Sequence, residues 1–128
     1  MRGMNMAKPS VALIVSLFGC ICLSACGQPA DWRAQAVADA EQQIRSDVND
    51  PNAKFSDVQV TGNSSTGQTC GRVSARLSTG GDQSGRFIVY IDGSVSPYVE
   101  NSMGAHPMTH EQFEFAWQND CLKEGYKD

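Results

Sequence analysis

The most constraining stretch of this chain is VALIVSLFGCICLSA, residues 11 to 25, which carries no charge. It comes after MRGMNMAKPS, a segment with two cations and no acid. A short positive region, an apolar run and then small residues form the pattern of a secretory signal. A membrane-spanning helix needs about 20 consecutive apolar residues, which this stretch does not offer before polar Gln28 and then Asp31. The run also lacks the amphipathic spacing of a surface-packed helix. Residues 1 to 25 therefore read as a signal peptide removed on export, and the fold must lie in the chain beyond residue 25.

The run ends in Leu23-Ser24-Ala25-Cys26. Leu, two small residues and then Cys resembles the lipobox of bacterial lipoproteins. The rival tetrapeptide, Leu17-Phe18-Gly19-Cys20, has bulky Phe18 where that pattern takes a small residue. The resemblance implies that the Cys26 thiol receives a diacylglyceryl group, that the peptide before it is cut, and that the new amino terminus is acylated. Two or three acyl chains hold a protein stably, since each buried CH₂ contributes about 0.8 kcal/mol. Gly27 and Gln28, rather than Asp, come after Cys26, which in Gram-negative lipoproteins implies sorting to the outer membrane, facing the periplasm. Residues 26–30 then form a lipidated tether, whose GQPA portion spans about 13 Å when extended. Residues 31–128 form a single domain close to the bilayer.

Cleavage and lipidation resolve the cysteine arithmetic. Cys20 and Cys22 leave with the signal, Cys26 carries lipid, and Cys70 and Cys121 remain. The compartment permits disulfides, so a Cys70–Cys121 bridge is expected. Closing a loop of that length stabilises a fold by about 4 kcal/mol on the chain-entropy model. Loss of Arg2 and Lys8 leaves eight basic and fourteen acidic residues, a net charge of −6. The scattered cations offer no footprint for nucleic acid. The acidic domain, held at a membrane surface, is repelled by anionic headgroups rather than lying flat on them.

The chain from Asp31 predicts an α+β fold: an N-terminal helix, a four-stranded antiparallel meander and a C-terminal helix, packed in two layers. Trp32, Ala36, Val37, Ala40, Ile44 and Val48 recur at helical spacing behind an N-cap at Asp31, and Asn49-Asp50-Pro51 ends the helix. KFSDVQVT, CGRVSARL, RFIVYI and SVSPYVE read as strands, the last an edge because of Pro97. Asp92-Gly93 reads as a two-residue type I′ hairpin turn. In THEQFEFAWQNDCLKEG, Thr109 and Gln112 make a capping box, and Phe113, Ala116, Trp117 and Cys121 share a face.

Asp50, Pro51, Ala53, Phe55, Cys70, Gly71, Val73, Gly80, Gly81, Gly85 and Phe87 make a second pattern over residues 44–91. It resembles small bacterial envelope proteins in which a helix precedes Asp-Pro, Ala-x-Phe, Cys-Gly-x-Val and a Gly-Gly loop. The gap after Pro51 is one residue shorter than in that pattern, and Ser74 and Leu77 stand where it tends to have Asn. The resemblance implies the fold and carries no activity.

Little in the sequence points to catalysis. His106, His110 and Glu114 have His-x₃-His-x₃-Glu spacing, which a continuous helix would turn into zinc ligands. Pro107 and the Thr109 cap put His106 outside the helix, leaving His110 and Glu114 as a half-site, and no metal or other cofactor is expected. No Gly-x-Ser-x-Gly elbow occurs, STGGDQSG lacks the Lys of a phosphate loop, and Asp50, Asp57 and Asp92 suit turns and solvated faces. The expectation is a non-enzymatic, lipid-anchored module that binds another envelope protein, as an accessory part of an assembly or an inhibitor of an effector. The alternative is a lipoprotein that binds a small molecule or metal. Candidate contact residues are Gly80, Gly81 and Asp82 in one loop, and Met103, His106 and Met108 in another. Arg72, Arg76 and Arg86 would face an anionic partner from the sheet unless the helices cover opposite faces.

Overall fold

The structure, a computed structural model, describes residues 31–128. The expected signal peptide and lipobox, with Cys26, lie outside the described residues.

Helix α1 spans Trp32–Asp47 and buries Ala40 and Ile44 completely. Asp31 stands before it, but its side chain makes no capping hydrogen bond. The helix ends through Asn49, whose φ is 59°. The Asn49 N–H donates to Ser46 O and the Asp50 N–H to Arg45 O. That is the paired bonding of a Schellman stop, with Asn in the left-handed position that Gly more often fills. Asp50 then accepts from the Asn52 N–H at 2.9 Å and the Arg76 N–H at 2.8 Å, tying the helix exit to the sheet.

Strands β1 (Lys54–Thr61), β2 (Gln68–Arg76), β3 (Asp82–Tyr90) and β4 (Tyr98–Val99) lie in sheet order β1-β2-β3-β4, all antiparallel. β2 and β3 pair without interruption from Gln68↔Tyr90 to Arg76↔Asp82. β1 carries a bulge: the register shifts between Ser56 and Gln59, and Asp57 has φ 53°. Gly71 sits opposite this bulge, where a Cβ would lie 3.1 Å from the Val58 backbone and 3.0 Å from the Phe87 ring. The alternation of side chains along β1 therefore breaks midway.

The two helices cover opposite faces of the sheet, so the domain has three layers rather than the two expected. Phe87 and Val89 join Ala40, Ile44, Val73 and Ala75 in one apolar cluster. Ile88 joins Phe113, Trp117 and Tyr126 in the other, with Tyr90 packed against it. A strand buried on both faces needs an unbroken apolar run, and Phe87-Ile88-Val89-Tyr90 supplies it.

After a single 3₁₀ turn at Glu100–Ser102, helix α2 runs His110–Ala116 and widens into π geometry over Trp117–Leu122. The expected capping box is present, with Thr109 accepting from the Gln112 N–H and Gln112 from the Thr109 N–H. Phe113, Ala116, Trp117 and Cys121 are all buried. Cys121 is bonded to Cys70 with Cα atoms 6.2 Å apart, stapling the C-terminal helix to β2. Tyr126 closes this layer, its ring 4.8 Å from Trp117 and its hydroxyl donating to Asp57 O.

Candidate functional site

The expected Asp92-Gly93 hairpin is replaced by a longer excursion. Only Gly93 of the pair has positive φ, at 70°, whereas a type I′ turn needs it at both positions. The Gly93 N–H donates to Tyr90 O, the Asp92 carboxylate accepts from the Ser94 N–H, and residues 91–97 then loop out. β4 pairs only through Val99 with Phe87 and Tyr98 with Ile88. Pro97, with no N–H to donate, marks where that pairing stops.

This loop and α2 enclose a groove of about 710 Å³. Tyr90 and Tyr98 meet edge-on within it, ring centroids 5.4 Å apart, and Pro97, Met108 and Phe115 add apolar wall. Phe115 is 72% exposed, and Val95, beside the lining residues Ser96 and Pro97, is 44% exposed. These two are the large apolar side chains left exposed among the described residues. Of the two, Phe115 stands on the groove wall itself.

The groove's charge is of one sign. Glu111 and Asp120 line it, with no Lys or Arg. Asp120 accepts the Tyr90 hydroxyl at 2.5 Å. Burial, together with that bond, raises the pKa of Tyr90, so it stays a fixed donor in the groove.

A second polar constellation lies where β3, the 3₁₀ turn and α2 converge. The Arg86 guanidinium gives Nη2 to Glu100 Oε2 and Glu114 Oε1, each at 2.6 Å, and Nε to Glu100 Oε1 at 3.0 Å. It lies 5.2 Å over Phe113 and 5.0 Å over Trp117. The Glu100 hydrogen bond outweighs burial and raises the pKa of Arg86. The same Arg86 bonds hold Glu100 and Glu114 below their ordinary range. His110 completes a set of three ligand-type atoms, with Glu100 and Glu114, all within 4.8 Å of one another. The sequence half-site of His110 and Glu114 thus gains a third member that its spacing did not announce. Both carboxylates already serve a guanidinium, and a divalent cation would have to compete with it.

The candidate contact residues separate. Gly80 and Gly81 form the exposed tip of the β2–β3 hairpin, where Gly80 has φ 102°. Asp82 opens β3 and faces Arg76 at 3.6 Å. This tip lies at the opposite end of the β2–β3 ladder from Tyr90. Met103 is buried in the α1-side cluster and offers no surface to a partner. It fills the space that glycine leaves at position 85, where a Cβ would lie 3.2 Å from its sulfur. His106 and Met108 do line the groove.

The three arginines form no open cationic patch. Arg72 pairs with Asp57 and Asp128, Arg76 with Asp82, and Arg86 is enclosed by Glu100 and Glu114. Sequence reading missed Tyr90, Tyr98 and Phe115 as groove residues. Phe115 left a usable signal: it lies off the Phe113–Ala116–Trp117–Cys121 face, an aromatic on the polar side of an amphipathic helix. No protein-family model, curated protein or solved structure matches the chain.

Proposed function

We propose that this chain is a lipid-anchored envelope lipoprotein, held through Cys26 at the outer membrane. Its disulfide-stapled domain faces the periplasm as a non-catalytic protein-binding module. The observation that carries the binding role is Phe115, an aromatic side chain left 72% exposed on the wall of a groove also lined by Tyr90, Tyr98 and Met108. An exposed apolar residue alone on open surface is ordinary, whereas an exposed aromatic joined to a concave, aromatic-lined surface marks an interaction site. The envelope location is supported by the Leu23–Cys26 motif and by the cysteine accounting that leaves Cys70 and Cys121 to bond.

In-cell photo-crosslinking from position 115, with position 80 as the comparison, tests this role. One dominant envelope protein captured from 115, and lost in the Cys26→Ser chain, is the expected outcome. Capture from 80 alone would move the contact to the hairpin tip.

A metal-binding lipoprotein is the second reading, favoured by the Glu100–His110–Glu114 cluster and opposed by Arg86 within it. Zinc titration of the full chain decides it. Near-stoichiometric binding lost on His110→Ala would replace the first reading.

A further inference from the structure

The binding-module reading leaves the partner's chemistry open, and the groove's lining constrains it. An occupant must meet two demands at once. It must cover Tyr98, Pro97, Met108 and Phe115 with apolar groups, and it must do so beside Glu111 and Asp120, where the lining offers His106 but no Lys or Arg. An uncharged apolar segment would leave those carboxylates facing low-dielectric surface without compensation, which is unfavourable. An acidic segment would add like-charge repulsion, in a domain that already carries eight basic against fourteen acidic residues. An anionic bilayer surface is disfavoured on the same ground.

We infer that the groove is a docking site for a basic, apolar segment of a partner protein. The segment's aliphatic or aromatic side chains pack against Phe115, Met108 and Tyr98, and its Lys or Arg side chains meet Glu111 and Asp120. This inference rests on the binding-module reading. The Tyr90 hydroxyl donates to Asp120 Oδ2, which holds the carboxylate in place at the groove. Glu111 is exposed in the first turn of α2 and reaches the same segment from the helix side. Apolar anchors at a groove centre carry most of the affinity, and rim charges set encounter rate and salt dependence.

The test is selection of a displayed library of random peptides on the lipidated full chain in detergent, repeated on Phe115→Ser and Glu111→Lys chains. Phe115 is mostly exposed, so its replacement leaves the core intact. The expected result is recovery of sequences that join Lys or Arg to aromatic or aliphatic residues. A synthesised representative should bind roughly thirtyfold more weakly to Phe115→Ser, as for an interface anchor. It should bind several-fold more weakly to Glu111→Lys, with a flatter salt dependence.

Recovered sequences that need Phe115 but are acidic or uncharged would overturn the partner chemistry and leave the module standing. Binding indifferent to Phe115 would overturn the groove itself. No enrichment, together with no crosslink from position 115 in cells, would remove both the inference and the role beneath it. Flotation of the Cys26→Ser chain with phosphatidylglycerol vesicles that is lost on adding Phe115→Ser would assign the patch to the membrane and overturn the inference.

Discussion

At the scale of single residues, Arg86 carries the most consequence. Its side chain is 14% exposed and is shared by two carboxylates and two aromatic faces. Truncating one member of such a set strands the others in a poor solvent. Arg86→Met is therefore expected to cost about 3 kcal/mol, read as a lower urea midpoint. Adding Glu100→Gln should recover part of that loss, because the stranded charge goes with it. The pH dependence has a definite sign. Glu100 and Glu114 titrate below the ordinary carboxylate range because Arg86 hydrogen bonds favour their charged forms. Their contribution is present above the unfolded value of about 4.3 and is lost as pH falls through the lowered native value. The stability gap between the native chain and Arg86→Met should narrow on acidification through that window. Gly71 is a second such residue, for steric reasons. A methyl group there would press on the Val58 backbone and the Phe87 ring, and Gly71→Ala is expected to destabilise by about 1–3 kcal/mol, measured by the same unfolding curves.

Among the elements, the disulfide joins parts that no other covalent link holds together. Cys70 lies in β2 and Cys121 in the widened end of α2, 51 residues apart in sequence and both fully buried. Replacing both with Ser should lower stability by about 4 kcal/mol, and reductant should reproduce the effect in the native chain. The same elements show what was legible in advance. Periodicity exposed α1 and α2, because each buries one stripe, and the capping box fixed where α2 starts. The bridge came from counting cysteines. β3 was found as a strand, but the meaning of its unbroken Phe-Ile-Val-Tyr run, a helix on each face, was missed in favour of two layers. Asp92-Gly93 misled for a different reason. The dipeptide supplies turn chemistry, but register belongs to the pairing of Tyr98 and Val99 with Ile88 and Phe87, which lies several residues further along the chain. The bulge at Asp57 left no sign, since a polar residue in the left-handed region looks like any solvated strand position. The groove was half legible: the sequence singles out His106 and Met108, while Tyr90 and Tyr98 read only as members of strands and Phe115 draws no reading of its own.

For the whole molecule, anchor and fold are separable tasks. The two apolar clusters draw on residues from Ala40 to Tyr126, and the bridge lies among them. The domain therefore holds its own core on both faces of the sheet, with the disulfide supplementing a burial that is limited in so short a chain. The net negative charge gives the domain no electrostatic hold on an anionic surface, so under the proposed reading attachment falls to lipid on Cys26. A Cys26→Ser chain should consequently leave the membrane fraction and appear in the soluble extract. Its unfolding midpoint should stay within about 0.5 kcal/mol of the native domain, as for a change outside the core. The two measurements read different things. Persistence in the membrane fraction with an unchanged midpoint would end the lipobox assignment while sparing the fold. A lowered midpoint would show that the N-terminal segment contributes to the domain. Release with an unchanged midpoint is the outcome expected of a binding surface that folds by itself and uses the lipid only to reach its partner.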